Sequence, residues 1–189
     1  MKRIFMTLFR AFCFFSLMLM SSCETDSSGD SATISDNNFY TGISGAIVNC
    51  YHDIYNQNLA GKPTGNQSIT ANGPMGGTVN ITGTTSIDNT HVITTTNLVF
   101  NMTNVKYTYS YGGTNGTDWI AEITLTGSTT YSGSFSSTYT SINHQATNLH
   151  VVGTVTNAGI VRNIDQTGSV VINRSANISV NIFGHTVSW

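Results

Sequence analysis

The chain is poor in charged residues, proline and cysteine. Only 8% of its 189 residues are Asp, Glu, Lys or Arg, compared with about 25% in an average soluble domain. Helical bundles and coiled coils are excluded, because both need Ala, Glu, Lys and Leu in bulk. Nucleic-acid binding is excluded as well, since Lys and Arg form no cluster beyond the extreme N-terminus.

Small polar residues are abundant instead. Thr, Ser and Asn together account for 70 of the 189 residues, while 39% of the chain is hydrophobic. The apolar residues are largely β-branched or aromatic, which favours strands and argues against a disordered chain. The length suits one ordinary domain.

The N-terminus has the pattern of a secretory signal peptide. Three of the seven basic residues lie within the first ten positions, and an uncharged apolar run over 11–20 follows. An apolar run of about 7–15 residues is typical of a signal peptide, whereas a membrane-spanning helix needs about 20. Two serines and Cys23 come next. We therefore predict that residues 1–22 are a signal peptide.

The segment that ends at Cys23 resembles the lipobox of a bacterial lipoprotein precursor, which reads aliphatic, small, small, Cys. Met20 stands at the aliphatic position, in place of the usual Leu. The resemblance implies a diacylglyceryl group on the Cys23 thiol, cleavage before Cys23, and acylation of the new amine with a fatty acid such as palmitate. Two or three acyl chains give stable anchoring. The alternative is an ordinary signal peptide that is cleaved near Ser22.

A lipidated chain of this kind has the membrane as a partner. We expect it in the bacterial cell envelope, anchored through its N-terminal acyl chains. Glu24 follows Cys23, and by analogy with lipoprotein sorting in enteric bacteria it favours the outer membrane, on either the periplasmic or the surface face. Residues 23–38 are polar and mildly acidic. This composition predicts a flexible tether before a single β-rich domain over 39–189.

One amphipathic helix is predicted at the start of that domain, over about 42–60. Apolar residues recur there at steps of three and four, which places them on one helical face. These residues are Ile43, Ala46, Ile47, Cys50, Tyr51, Ile54, Tyr55 and Leu59. Gly61 and Pro63 follow in the order expected at the end of a helix. Cys50 is predicted to be a buried, inert thiol, and it has no disulfide partner if Cys23 is lipidated.

Beyond residue 74 the sequence alternates with period two, as β-strands do. The eight candidate strands cover 78–86, 91–102, 104–112, 118–127, 129–135, 147–156, 169–173 and 177–189. Because short turns connect them without crossover helices, we predict an antiparallel meander. The predicted fold is mainly β, a strongly curved sheet or incomplete barrel packed on the one N-terminal helix. This architecture resembles the open β half-barrel of bacterial lipoprotein carriers and related lipid-binding envelope proteins.

Five glycines share a local pattern, in which Gly stands two residues after an apolar residue of a candidate strand. They are Gly83, Gly127, Gly133, Gly153 and Gly184. Because glycine weakens a strand, the recurrence favours kinks that let the sheet coil. The alternative is that each glycine merely ends a strand at a turn.

The sequence contains no recognisable catalytic or metal-binding constellation. The G-x-S-x-G motif is absent, and the adjacent His52 and Asp53 indicate a solvated face of the helix. The five histidines are scattered without metal-ligand spacing, and His144 and His150 are predicted to flank a loop. We expect no catalytic site, no metal and no cofactor.

A stripe of tyrosines is the main candidate for a binding surface. Tyr107, Tyr109 and Tyr111 share one face of a candidate strand, with Trp119 on a nearby strand. Such rings can stack on sugars, line an apolar pocket or form ordinary sheet core. The sequence favours a non-enzymatic, lipid-anchored envelope protein that is structural or binds an apolar or amphipathic ligand, such as a lipid, in its curved sheet. The alternative is a surface adhesin or glycan-binding module that uses the tyrosine face.

Overall fold

A computed structural model describes residues 33–60, 62, 64–87, 93–112, 118–135 and 140–189. Its elements are α1 (Asp36–Asn58), β1 (Gly65–Asn72), β2 (Thr78–Ile87), β3 (Ile93–Tyr111), β4 (Trp119–Phe135), β5 (Thr140–Asn157), β6 (Ile160–Arg174), β7 (Ile178–Ile182) and β8 (His185–Ser188). Every described residue belongs to one compact unit, Ala32–Trp189. The predicted signal peptide and Cys23 lie outside the described residues.

The eight strands form one sheet in which every strand pairs antiparallel with its neighbours in the sequence, from β1 to β8. The predicted meander is therefore confirmed. Among the described residues no pairing joins β8 back to β1, so the sheet is open. Helix α1 packs against this sheet, contacting β3, β4, β5, β7 and β8. The predicted fold class, mainly β with a single packed helix, is confirmed.

Strands β3 and β5 are longer than predicted, because a β-bulge reverses the alternation of side chains inside each of them. In β3 the buried residues stand at even positions through Met102 and at odd positions from Val105 onward, and the pairing with β4 shifts between these two residues. In β5 a shift between Ala146 and Leu149 has the same effect. A bulge inserts one extra residue, so the side chains beyond it change faces.

The number of strands agrees with the prediction, although several boundaries differ. Each of β3 and β4 joins two candidate strands into one, and the last candidate, 177–189, contains both β7 and β8. Strand β1 has no counterpart among the candidates, because only Ile69 and Ala71 are apolar within it. The pairing of all eight of its residues with 78–85 of β2, rather than its own composition, makes it a strand.

Residues with left-handed backbone stand at the bulges. Asn104 has φ 49°, its N–H donates to Thr126 Oγ1 at 3.1 Å, and the Thr126 hydroxyl donates back to Asn104 Oδ1 at 3.3 Å. Asn tolerates this conformation because its short polar side chain bonds locally. Gly83 and Gly127, with φ 128° and 135°, also lie at register shifts. The kink interpretation fits these two glycines, whereas Gly184 lies in the turn between β7 and β8.

Helix α1 begins at Asp36, earlier than predicted, because Ser35 caps it. The Ser35 backbone is extended, and its hydroxyl oxygen accepts the Asn38 N–H at 3.4 Å. The preceding Ile34 is buried, and its carbonyl oxygen accepts a hydrogen bond from the Arg162 guanidinium at 3.1 Å. The end of the predicted tether is therefore part of the folded domain.

The core lies between the apolar face of α1 and one face of the sheet. The predicted helical face is confirmed there, since Ile43, Ile47 and Ile54 are completely buried. The completely buried aliphatic residues of the sheet include Val79, Ile81, Leu98, Val105, Leu125, Leu149, Val151, Val155, Val180 and Ile182. Each such side chain contributes about 1.5–3 kcal/mol through the hydrophobic effect. Within the described residues, no helix combines the length and hydropathy needed to cross a membrane.

Candidate functional site

The tyrosine stripe, formed by Tyr107, Tyr109 and Tyr111, lies on the face of β3 that packs against α1. Tyr107 is only 8% exposed, and its hydroxyl donates to Asp53 Oδ2 at 2.8 Å. Tyr109 lies so close to the helix that a Cβ at Gly45 would be 2.6 Å from its ring. The stripe is therefore part of the helix–sheet interface, and glycine in the helix makes room for it.

The end of the stripe stacks with Trp119. The ring centroids of Tyr109 and Tyr111 are 5.4 Å apart, those of Tyr111 and Trp119 are 5.9 Å apart, and both pairs are within 19° of parallel. The Tyr111 hydroxyl donates to the carbonyl oxygen of Asn38 at 3.3 Å, which ties this ring to the helix as well. The structure thus brings the four candidate residues together, with Tyr109, Tyr111 and Trp119 half-buried.

Asp53 brings a charged group into contact with the stripe. The adjacent His52 and the hydrogen bond from Tyr107 lower the pKa of the Asp53 carboxyl, against the opposite effect of partial burial. Burial and the hydrogen bond to Asp53 raise the pKa of the Tyr107 hydroxyl. Tyr107 therefore stays protonated and Asp53 stays ionised at neutral pH. The hydrogen bond between them links the helix to the sheet.

A second candidate site is a pocket between α1 and strands β4, β5 and β6, which we name the His144 pocket. It contains a cavity of about 40 Å³. Its lining residues are Val48, Tyr51, His52, Tyr55, Asn56, Tyr131, Ile142, His144, Ile172 and Arg174. The five helix residues follow one another at steps of three, one, three and one, so they form one strip along α1 beside its fully buried face.

The His144 ring is enclosed by aromatic rings. Its centroid lies 4.5 Å from that of Tyr131 and 4.7 Å from that of Tyr51, and Phe100 lies behind at 6.1 Å. The side chain is 8% exposed, and its buried Nδ1 has no hydrogen-bond partner among the described atoms. Burial lowers the pKa of His144 from 6.5 to about 3. The imidazole is therefore neutral at physiological pH and can donate or accept one hydrogen bond at Nδ1.

The position of His144 differs from the sequence-based expectation. His144 and His150 were expected to flank a loop, but both lie within β5, on opposite faces, because the bulge after Ala146 joins the two parts into one strand. His150 is on the outer face, where its Nε2 is 2.8 Å from Asp165 Oδ1. The alternation of Ile142, His144 and Ala146 was the available signal that His144 points inward.

The remaining reactive side chains are buried or isolated. Cys50 is completely buried, and burial, followed by the charge of Asp53, raises the pKa of its thiol to about 12, so it is inert as predicted. Within the described residues, no group of three or more His, Cys, Asp or Glu side chains could hold a metal ion. The His52 Nδ1 and Asp53 Oδ1 atoms are 3.6 Å apart, too far for a hydrogen bond.

The arrangement of the His144 pocket is suited to binding a ligand. The His144 pocket offers apolar and aromatic walls, the unpartnered Nδ1 of His144 and a cationic residue. Cys23, the candidate lipidation site, lies outside the described residues. Comparison of the chain with protein-family models, with curated proteins and with solved structures finds no match.

Proposed function

We propose that the chain is a non-enzymatic, lipid-anchored protein of the bacterial cell envelope whose helix–sheet domain binds a small amphipathic ligand. The anchor rests on the sequence, which has a signal peptide pattern over 1–22 and a lipobox-like segment that ends at Cys23. The binding role rests on one observation, the unpartnered Nδ1 of the buried His144 in an aromatic pocket. Buried polar atoms without partners are rare in folded proteins, and a bound molecule is one of their explanations.

The size of the pocket favours a small ligand over a long acyl chain. Pockets for drug-sized ligands usually measure about 300–1,000 Å³, whereas this cavity measures about 40 Å³. The face of the sheet that a lipid would use is occupied by α1, with Ile43, Ile47 and Ile54 completely buried against it. A long lipid would have to displace the helix from these contacts. We therefore favour a small amphipathic ligand over a long lipid.

Glycan binding is a second candidate function. The half-buried stack of Tyr109, Tyr111 and Trp119 favours it, because sugars stack on aromatic faces. Tyr107 is unavailable, since its hydroxyl is bonded to Asp53 beneath the helix. If a glycan binds at this stack, soluble oligosaccharides should quench the fluorescence of the protein, and Trp119→Phe should abolish the effect while Trp189→Phe preserves it.

Substitution of Cys23 tests the anchor. In cells fed radiolabelled palmitate, the wild type should incorporate label and sediment with membranes, and Cys23→Ala should do neither. Cys13→Ala and Cys50→Ala are the matched controls, since one lies within the predicted signal peptide and the other is buried in the core. Continued labelling of Cys23→Ala, or loss of label in Cys13→Ala alone, would contradict the proposed anchor.

A further inference from the structure

The His144 pocket has a positively charged residue that no described acidic residue balances. The Arg174 side chain lines the pocket, and none of the ten lining residues is Asp or Glu. The described ion pairs involve other residues, since Arg162 pairs with Asp36 at 2.7 Å while His52 and His150 contact Asp53 and Asp165. An arginine without a carboxylate partner favours an anionic group, which its guanidinium binds through two parallel hydrogen bonds.

The pocket also has apolar lining residues. Val48, Ile142 and Ile172 form its aliphatic walls, and the rings of Tyr51 and Tyr131 enclose the imidazole of His144. A cavity of about 150 Å³ holds benzene, so the 40 Å³ found here has room for only a few carbon atoms. The neutral imidazole supplies one hydrogen bond at Nδ1, and an Nδ1–H tautomer would donate it to an acceptor oxygen.

We propose that the His144 pocket binds a short-chain carboxylate, such as acetate, propionate or butyrate. The alkyl group lies among the aliphatic and aromatic walls, Arg174 binds the carboxylate, and the Nδ1–H of His144 donates to one of its oxygens. The ligand thereby satisfies the Nδ1 of His144, a buried nitrogen that has no partner among the described atoms. This inference rests on the proposed binding function and specifies its ligand class.

Titration of the histidine ring signals tests this site in the full-length lipoprotein in detergent. Sodium propionate and butyrate should shift the ¹⁵N signal of His144 saturably at neutral pH, and sodium chloride at equal ionic strength should not. His144→Phe identifies the signal. Arg174→Gln should weaken binding at least about tenfold, the equivalent of about 1.4 kcal/mol. Lys106→Gln removes a positive charge from an exposed position of β3 and should leave the affinity unchanged.

Three results would overturn the proposal. They are a His144 signal that does not respond, equal responses to chloride or inorganic phosphate, and an affinity that Arg174→Gln leaves unchanged. The first result would mean that the cavity does not bind carboxylates, and the second would mean that the site binds anions without selectivity. Because the titration does not depend on the acyl chains, its failure is distinguishable from failure of the anchor, which palmitate labelling of Cys23→Ala reports separately.

Discussion

Mild acid should destabilise the folded protein through His144. Burial lowers the pKa of this imidazole from 6.5 to about 3 in the folded state, whereas the unfolded chain keeps the ordinary value. Below the ordinary pKa the His144 imidazole binds a proton in the unfolded state but stays neutral in the folded state, so acid favours unfolding. The free energy of unfolding is therefore unaffected by protonation of His144 above pH 6.5, and it falls progressively as the pH drops from 6.5 toward 3.

The expected loss follows from the two pKa values. At about pH 5 the difference in proton binding lowers the free energy of unfolding by about 2 kcal/mol relative to neutral pH. For a domain of this size that corresponds to a fall in Tm of about 4–8 °C. The lowered pKa of Asp53 does not interfere, because its effect begins only below the ordinary carboxyl pKa of 3.8.

Urea unfolding followed by circular dichroism, at neutral pH and at about pH 5, measures this loss. His144→Phe keeps an aromatic ring between Tyr51 and Tyr131, but the phenylalanine side chain cannot bind a proton. The variant should therefore lose about 2 kcal/mol less than the wild type over the same pH interval. Equal losses in the two proteins would refute the assignment of the effect to His144, since every other histidine is common to both.

Two further predictions concern the helix–sheet interface and use the same urea assay at neutral pH. Ile54→Ala, at a completely buried position of α1, should cost about 2–5 kcal/mol, whereas Val161→Ala, at a 54% exposed position, should change stability by no more than about 0.5 kcal/mol. Helix propensity alone would make Gly45→Ala stabilising by about 1 kcal/mol, but the new Cβ would be 2.6 Å from the Tyr109 ring, so we expect destabilisation. A stabilised Gly45→Ala, or equal costs for the two alanine variants of Ile54 and Val161, would contradict the packing of α1 on the sheet.

Local periodic patterns made most of the fold predictable. The helix repeats its apolar residues every three or four positions and the strands repeat theirs every two, so both elements can be identified from short stretches of sequence. Bulges break this local rule, because one inserted residue at Asn104 reverses the alternation while the pairing with β4 continues. Strand β1 could not be predicted for a different reason. It is a strand because it pairs with β2, and its own sequence does not show this pairing.

The His144 pocket could not be predicted from local sequence patterns. Its rings come from Tyr51 on α1, Tyr131 on β4 and His144 on β5, and only the folded sheet brings these three elements together. The alternation of Ile142, His144 and Ala146 indicated an inward-facing histidine. The bulge after Ala146 interrupts this alternation, so the three residues were not recognised as part of a strand. The tyrosine stripe could be located on one strand face, but whether that face meets the helix or solvent depended on how the helix packs.

Nuclear Overhauser effects between aromatic rings test most directly whether α1 occupies this face of the sheet. We expect cross-peaks between Tyr51 of the helix and His144 of β5, whose ring centroids are 4.7 Å apart. The contact between Phe100 and Tyr131, within the sheet at 5.8 Å, is the internal reference. A spectrum that shows the Phe100–Tyr131 cross-peak but none between Tyr51 and His144 would mean that the sheet forms without the helix packed on it.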